Sequence, residues 1–197
     1  MHKPYSESCD QNRDPIFEVI QVLLENKNHL LEIGSGTGQH AVYFAEKMPH
    51  LIWQCSDQTQ YLTGIKQWLD EANLTNTPPP ITLDVSNDEW SNQVYDAIYS
   101  ANAVHIMSWE NVVDFIENAG EHLNTGGVLI LYGPFNYNGE YTSESNARFD
   151  IWLKERDPKS AIRDFEAMNE LAKKAGLIFK EDFAMPANNR ILCWVKS

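Results

Sequence analysis

His29-Leu30-Leu31-Glu32-Ile33-Gly34-Ser35-Gly36-Thr37-Gly38-Gln39-His40 is the stretch on which the fold turns. A short apolar run enters three alternating glycines, and Ala41, Phe44, Ala45 and Met48 follow at helical spacing, so the unit is strand, turn, helix. Glycine permits positive φ and leaves no Cβ between a ligand and the main chain. The opening turn of the next helix also presents N–H groups without partners, so the unit suits a nucleotide. A dinucleotide fingerprint would need G-x-G-x-x-G, but the third glycine comes one residue early, at Gly38, and Gln39 stands in its place. That spacing argues against NAD and FAD.

A chain of 197 residues suits one domain, 1–197, with a core of its own. No apolar run approaches the length of a bilayer span and no charged-then-apolar leader opens the sequence, so a soluble, cytoplasmic protein with no membrane partner is expected. Cys9, Cys55 and Cys193 lack C-x-x-C spacing, which points to reduced thiols rather than a disulfide frame or a metal site. The formal net charge of −13 repels polyanions at long range. The densest basic stretch, Lys154 to Arg163, is interleaved with Glu155 and Asp157, the pattern of a solvated face. Nucleic acid is therefore a poor partner, and a small or cationic substrate a better one.

In chain order, residues 1 to 10 read as a loose polar segment. Asp14 then caps a helix whose first position is Pro15 and whose buried face carries Ile16, Val19, Ile20, Leu23 and Leu24. Residues 1–28 thus form an N-terminal cap, with Arg13 just before the helix. Leu51 to Asp57 is a second strand. Its terminal acid lies 19 positions beyond Gly38, the distance at which a carboxylate meets the ribose of a nucleotide seated on the first turn. Ile81 to Val85 is a third strand, with Asp84 near its end. Val94 to Ser100 is a fourth, leading into Ala101-Asn102-Ala103-Val104-His105 at the sheet edge where such folds bind ligands, and His105 is the natural proton acceptor there. After a helix from Asn111 to Leu123 and a turn at Asn124 to Gly127, Val128 to Tyr132 reads as a central parallel strand. Residues 133–160 show no clear period and are taken as a substrate lid with Tyr132 and Asn136 at its base. A last helix runs from about Ala161 to Ala175. Leu177 to Met185 and Arg190 to Lys196 are too close for a crossover and must form an antiparallel hairpin.

The arrangement Glu32-x-Gly34-x-Gly36-x-Gly38 resembles motif I of the class I S-adenosylmethionine (SAM) methyltransferases. Asn12 to Ile16, Ser35 to Ala41, Gly133 to Asn136, Ser145-Asn146 with Phe149-Asp150, and Met185 to Asn189 further resemble a family of small uncharacterised methyltransferase-like proteins that includes methyltransferase-like protein 26. The resemblance implies an α/β, Rossmann-like class I methyltransferase fold, with a mostly parallel seven-stranded sheet, a C-terminal antiparallel hairpin and helices on both faces. It implies SAM as cofactor, with Glu32, Gly34, Gly36 and Asn102 around it, Asp57 on the ribose, and Asp84 with the Val85 N–H on the adenine. His105, Tyr132, Asn136 and Arg13 would face the acceptor, Arg13 also being able to reach the SAM carboxylate.

No Asn/Asp-Pro-Pro-Tyr/Phe tetrapeptide of the nucleic-acid amino-methyltransferases occurs, in keeping with the charge. The expected function is methyl transfer to a small molecule, with a protein acceptor as the other option. The competing reading is a SAM-binding, non-catalytic module whose acidic surface attracts a basic protein.

Overall fold

The structure, a computed structural model, describes residues 3–86 and 90–197. Its frame is one seven-stranded sheet. The glycine turn joins strand β1 (His29–Ile33) to helix α2 (Gln39–Lys47), and Gly34, Gly36 and Gly38 all adopt positive φ, as the sequence requires. Strand β2 (Ile52–Asp57), helix α3 (Thr59–Ala72), strand β3 (Ile81–Thr82) and strand β4 (Tyr95–Ala101) follow. Helix α4 (Trp109–His122) leads into strand β5 (Leu123–Gly133), and strands β8 (Leu177–Met185) and β9 (Asn189–Lys196) close the sheet in the order β3-β2-β1-β4-β5-β9-β8. Pairing from β3 to β5 is parallel, while β9 runs antiparallel to both β5 and β8, which is the expected hairpin.

Period-two alternation along the strands divides the core between the two faces. Leu30, Ala97, Tyr99, Val128, Ile130, Ile191 and Cys193 pack under α2, α3 and the N-terminal helix α1 (Glu7–Leu24). Leu31, Ile98, Leu129, Leu131, Leu192 and Trp194 pack under α4 and helix α6 (Phe165–Lys174). Strands such as β5, buried on both faces, read as continuous apolar runs for this reason.

Several expectations need correction. Helix α1 begins at Glu7, seven residues before Asp14, so Arg13 lies within it and Pro15 is internal. Pro15 deprives the Gln11 carbonyl of its helical N–H, a loss made tolerable because Gln11 is exposed to water. Within α1 the first buried apolar residue is Ile16, so the helical period is silent over the first half. The segment 133–160 is not irregular throughout. Strand β6 (Phe135–Asn136) pairs in parallel with strand β7 (Arg163–Asp164), and helix α5 (Glu144–Arg156) lies between them. The buried residues of α5 are Asn146, Asp150 and Leu153, spaced as one helical face but mainly polar, so a search for apolar periodicity passes over it.

Strand β3 is also shorter than expected, and Asp84 and Val85 lie in the turn beyond it. Asn124 to Gly127 fall inside β5 rather than forming a separate turn, with Gly126 at positive φ. Among the described residues, no helix is long and apolar enough to cross a membrane.

Candidate functional site

The carboxyl ends of β1, β2 and β4 meet at the glycine turn. Gly34 and Ser35 donate backbone N–H bonds to the Ser56 carbonyl at 3.1 and 3.0 Å, and Ser100 Oγ donates to the Ile33 carbonyl at 2.8 Å, so the turn is fixed from both neighbouring strands. Glu32 is buried beneath it. Its carboxylate accepts from Ser35 Oγ at 2.8 Å and Trp53 Nε1 at 3.0 Å, and burial raises its pKa. Asp57 accepts the Gly36 N–H at 2.8 Å through one oxygen and the Gln58 N–H at 2.8 Å through the other, and burial raises this carboxyl too. Gln58 reaches on to Asp84, donating from Nε2 at 2.9 Å, so the two acids expected along a nucleoside are joined by one residue, through its backbone N–H to Asp57 and its side chain to Asp84.

A cavity of about 510 Å³ opens over the turn, within the usual range for a small-molecule site. Glu32, Gly34, Gly36 and Asn102 line it, whereas Asp57, Asp84 and Val85 stand outside its lining. The start of α1 closes one side with Ser8 and Cys9, and α3 closes another with Gln60, Tyr61 and Gly64. A second cavity, about 850 Å³, shares Ser8, Tyr61 and Asn102 with the first. His105 and Tyr132 line it; Asn136 and Arg13 line neither cavity.

Arg13 instead pairs with Asp10 at 2.9 Å and lies over the Tyr43 ring, because its place inside α1 turns it along the helix. Asn136 is held in β6 beside Asp164. His105 is buried, with no partner for Nδ1 among the described residues, and burial together with the Arg163 charge lowers its pKa to about 4. Its loop is stapled by the chain that follows α5: Ala161 donates its N–H to the His105 carbonyl at 3.0 Å, Ser160 Oγ donates to Ile106 at 2.8 Å, and Arg163 donates to Val104 and Met107. Asn102 sits at φ 56°, a left-handed conformation that asparagine tolerates, and its N–H bonds the Tyr132 carbonyl at 2.8 Å.

Sequence reasoning missed His40 and Asn12. Asn12 Oδ1 lies 2.7 Å from His40 Nε2, tying α1 to α2, and burial lowers the His40 pKa to about 4. The signal was His40's position in the first turn after the glycines. All five dispersed motifs of the family resemblance supply cavity walls, represented by Asn12, His40, Pro134, Asn146 and Asn189.

Among solved structures, the S-adenosylmethionine-dependent methyltransferase SibL in its apo form matches with a TM-score of 0.81 at 18% identity, over 96% of this chain and 55% of that one. Mitomycin 7-O-methyltransferase MmcR matches with a TM-score of 0.85 at 15% identity, over 96% and 54%. Human N-acetylserotonin methyltransferase, solved in complex with SAM, matches with a TM-score of 0.79 at 13% identity, over 97% and 53%. The chain therefore spans little more than half the length of these neighbours, and at such identities the likeness establishes the fold alone, the α/β Rossmann-like fold of methyltransferases. The family described as "Protein of unknown function (DUF938)" matches residues 3–196, and the chain belongs to that family.

Proposed function

We propose that this protein is a SAM-dependent methyltransferase acting on a small molecule in the cytoplasm. The observation that carries the reading is the wall shared by the two cavities: Ser8, Tyr61 and Asn102 face both, so a ligand over the glycine turn and one in the larger cavity would be neighbours. The residues fit the cofactor. The turn is open at Gly36, where an added Cβ would meet nothing within 4 Å, and the cavity has the volume of a small-molecule site. Glu32, Gly34, Gly36 and Asn102 would hold the amino-acid end, Asp57 the ribose, and Asp84 with the Val85 N–H the adenine. Bound there, SAM supplies an electrophilic methyl group.

The protein's own part is to align the acceptor, exclude water and receive its proton. His105 is uncharged at neutral pH and lies in the wall of the larger cavity, which the buried Tyr132 also lines. The likeness to SAM-dependent O-methyltransferases of known structure supports the reaction class, and the motifs converging on the cavities support kinship with methyltransferase-like protein 26. Calorimetric titration with SAM should give saturable binding, and methyl-labelled SAM with a cell extract should label a small-molecule fraction. No binding would overturn the cofactor assignment. Binding without any labelled product would favour the non-catalytic module that the net charge of −13 makes attractive to a basic partner.

A further inference from the structure

Methyl transfer does not by itself require the ladder of rings that lines the larger cavity. His105 stands at one end, 3% exposed and with no partner for Nδ1 among the described residues. The Phe149 ring meets it edge-on at 5.3 Å and 76°. Trp152 stacks on Phe149 at 5.6 Å and 19°, and the Arg156 guanidinium lies 4.6 Å from the Trp152 ring. Phe149, Trp152 and Arg156 fall at i, i+3 and i+7 on α5, one helical stripe turned to the cavity. Trp152 remains 46% exposed, a large aromatic surface left open in a cavity wall.

The polar walls are chiefly uncharged: beside serine and tyrosine hydroxyls stand the carboxamides of Gln11, Asn12, Asn102, Asn146 and Asn189. A carboxamide both donates and accepts but compensates no net charge. Among the described residues, the formally charged walls are the adjacent Arg156 and Asp157, of opposite sign. An ion entering this space would lose water without gaining a dedicated counter-charge, whereas a neutral ring would find faces to stack on and edges to bond.

We propose that the larger cavity binds an uncharged, flat aromatic compound bearing hydroxyl or amide groups, its ring along Phe149 and Trp152 and its polar edge toward His105 and the carboxamides. The proposal rests on that cavity being the acceptor site. Calorimetric titration of the protein without cofactor would compare naphthol, which is neutral, with the naphthoate anion and with saturated decahydronaphthol. Naphthol should bind about tenfold or more tighter than either, a difference within the reach of one stacked ring. Trp152→Ala should weaken naphthol about fivefold or more, while Ile151→Ala, at an exposed position outside the cavity wall, should leave it unchanged; both sites are exposed, so folding is not at stake. Naphthoate binding tighter than naphthol would mark an anion site at Arg156 and overturn the proposal. So would equal binding of the saturated alcohol, no heat with naphthol, or no effect of Trp152→Ala. A parallel SAM titration separates the two readings: absent SAM binding with intact naphthol selectivity removes the methyltransferase alone, and the converse removes the aromatic site alone.

Discussion

Asp57 accepts the backbone N–H of Gly36 at 2.8 Å, so the end of the second strand grips the turn that follows the first. A charge-assisted bond of this kind contributes about 1.5 to 3 kcal/mol. Asp57→Ala should lower stability by roughly that amount and the melting temperature by several degrees, at about 2 to 4 °C per kcal/mol for a chain of this size. It should also weaken SAM by roughly 1 to 3 kcal/mol, because two ribose hydroxyls would be poorly paired. Unchanged affinity in a calorimetric titration would remove Asp57 from the cofactor site.

The glycines of the turn should respond differently to a methyl group. A Cβ on Gly38, at φ 89°, would lie 3.2 Å from the Ile65 backbone, whereas one on Gly36, at φ 59°, meets open space. Gly36→Ala should cost about 1 to 2 kcal/mol from backbone conformation alone. Gly38→Ala should cost measurably more, since α2 and α3 must also separate. Urea unfolding of the two variants checks the ranking, and equal losses would contradict it.

Burial holds His40 and His105 at a pKa of about 4, below the usual 6.5. As pH falls below 6.5 the unfolded chain takes up protons before the folded one, so stability is complete above 6.5 and is lost progressively toward pH 4. Each histidine accounts for on the order of 3 kcal/mol of that loss. His40→Gln should therefore flatten the decline of unfolding free energy between pH 7 and pH 4.5. A variant as acid-sensitive as the parent would show that His40 is not held neutral.

Asp150 anchors α5 through Lys154 Nζ at 2.6 Å, Tyr141 Oη at 2.7 Å and the Ile162 N–H at 2.7 Å. Burial alone would raise its pKa, but these three donors together hold it below the ordinary carboxylate value. Asp150→Asn should destabilise the protein by roughly 1 to 3 kcal/mol and release the Ile162 amide to faster hydrogen exchange. Unaltered exchange at Ile162 would show that the bond contributes little.

The strands, most helices and the closing hairpin were legible because the apolar period switches from two to about 3.6 across the Gly34 turn and because the last two strands leave no room for a crossover. The first half of α1 and all of α5 were not, for one shared reason: their inner faces are polar. Asn146 and Asp150 are buried by hydrogen bonds to Thr142, Tyr141 and Ile162, and nothing in hydropathy marks such a face. The same limit misplaced Arg13, whose direction depends on where α1 starts. His105 and Tyr132 could be placed at a cavity because one follows a central strand and the other lies at the carboxyl end of one. The departure of Asn136 follows from its pairing with residues after α5, a long-range contact with no local signature.

Strand β9 is the last of the sheet's strands to leave the ribosome, yet it lies inside, between β5 and β8. Until residues 189–196 are synthesised, β5 presents an open, strongly apolar border, the kind that invites pairing with other nascent chains. Production of this protein should therefore depend on chaperone occupancy until Asn189–Lys196 has emerged, and stop codons placed before Asn189 should yield aggregates.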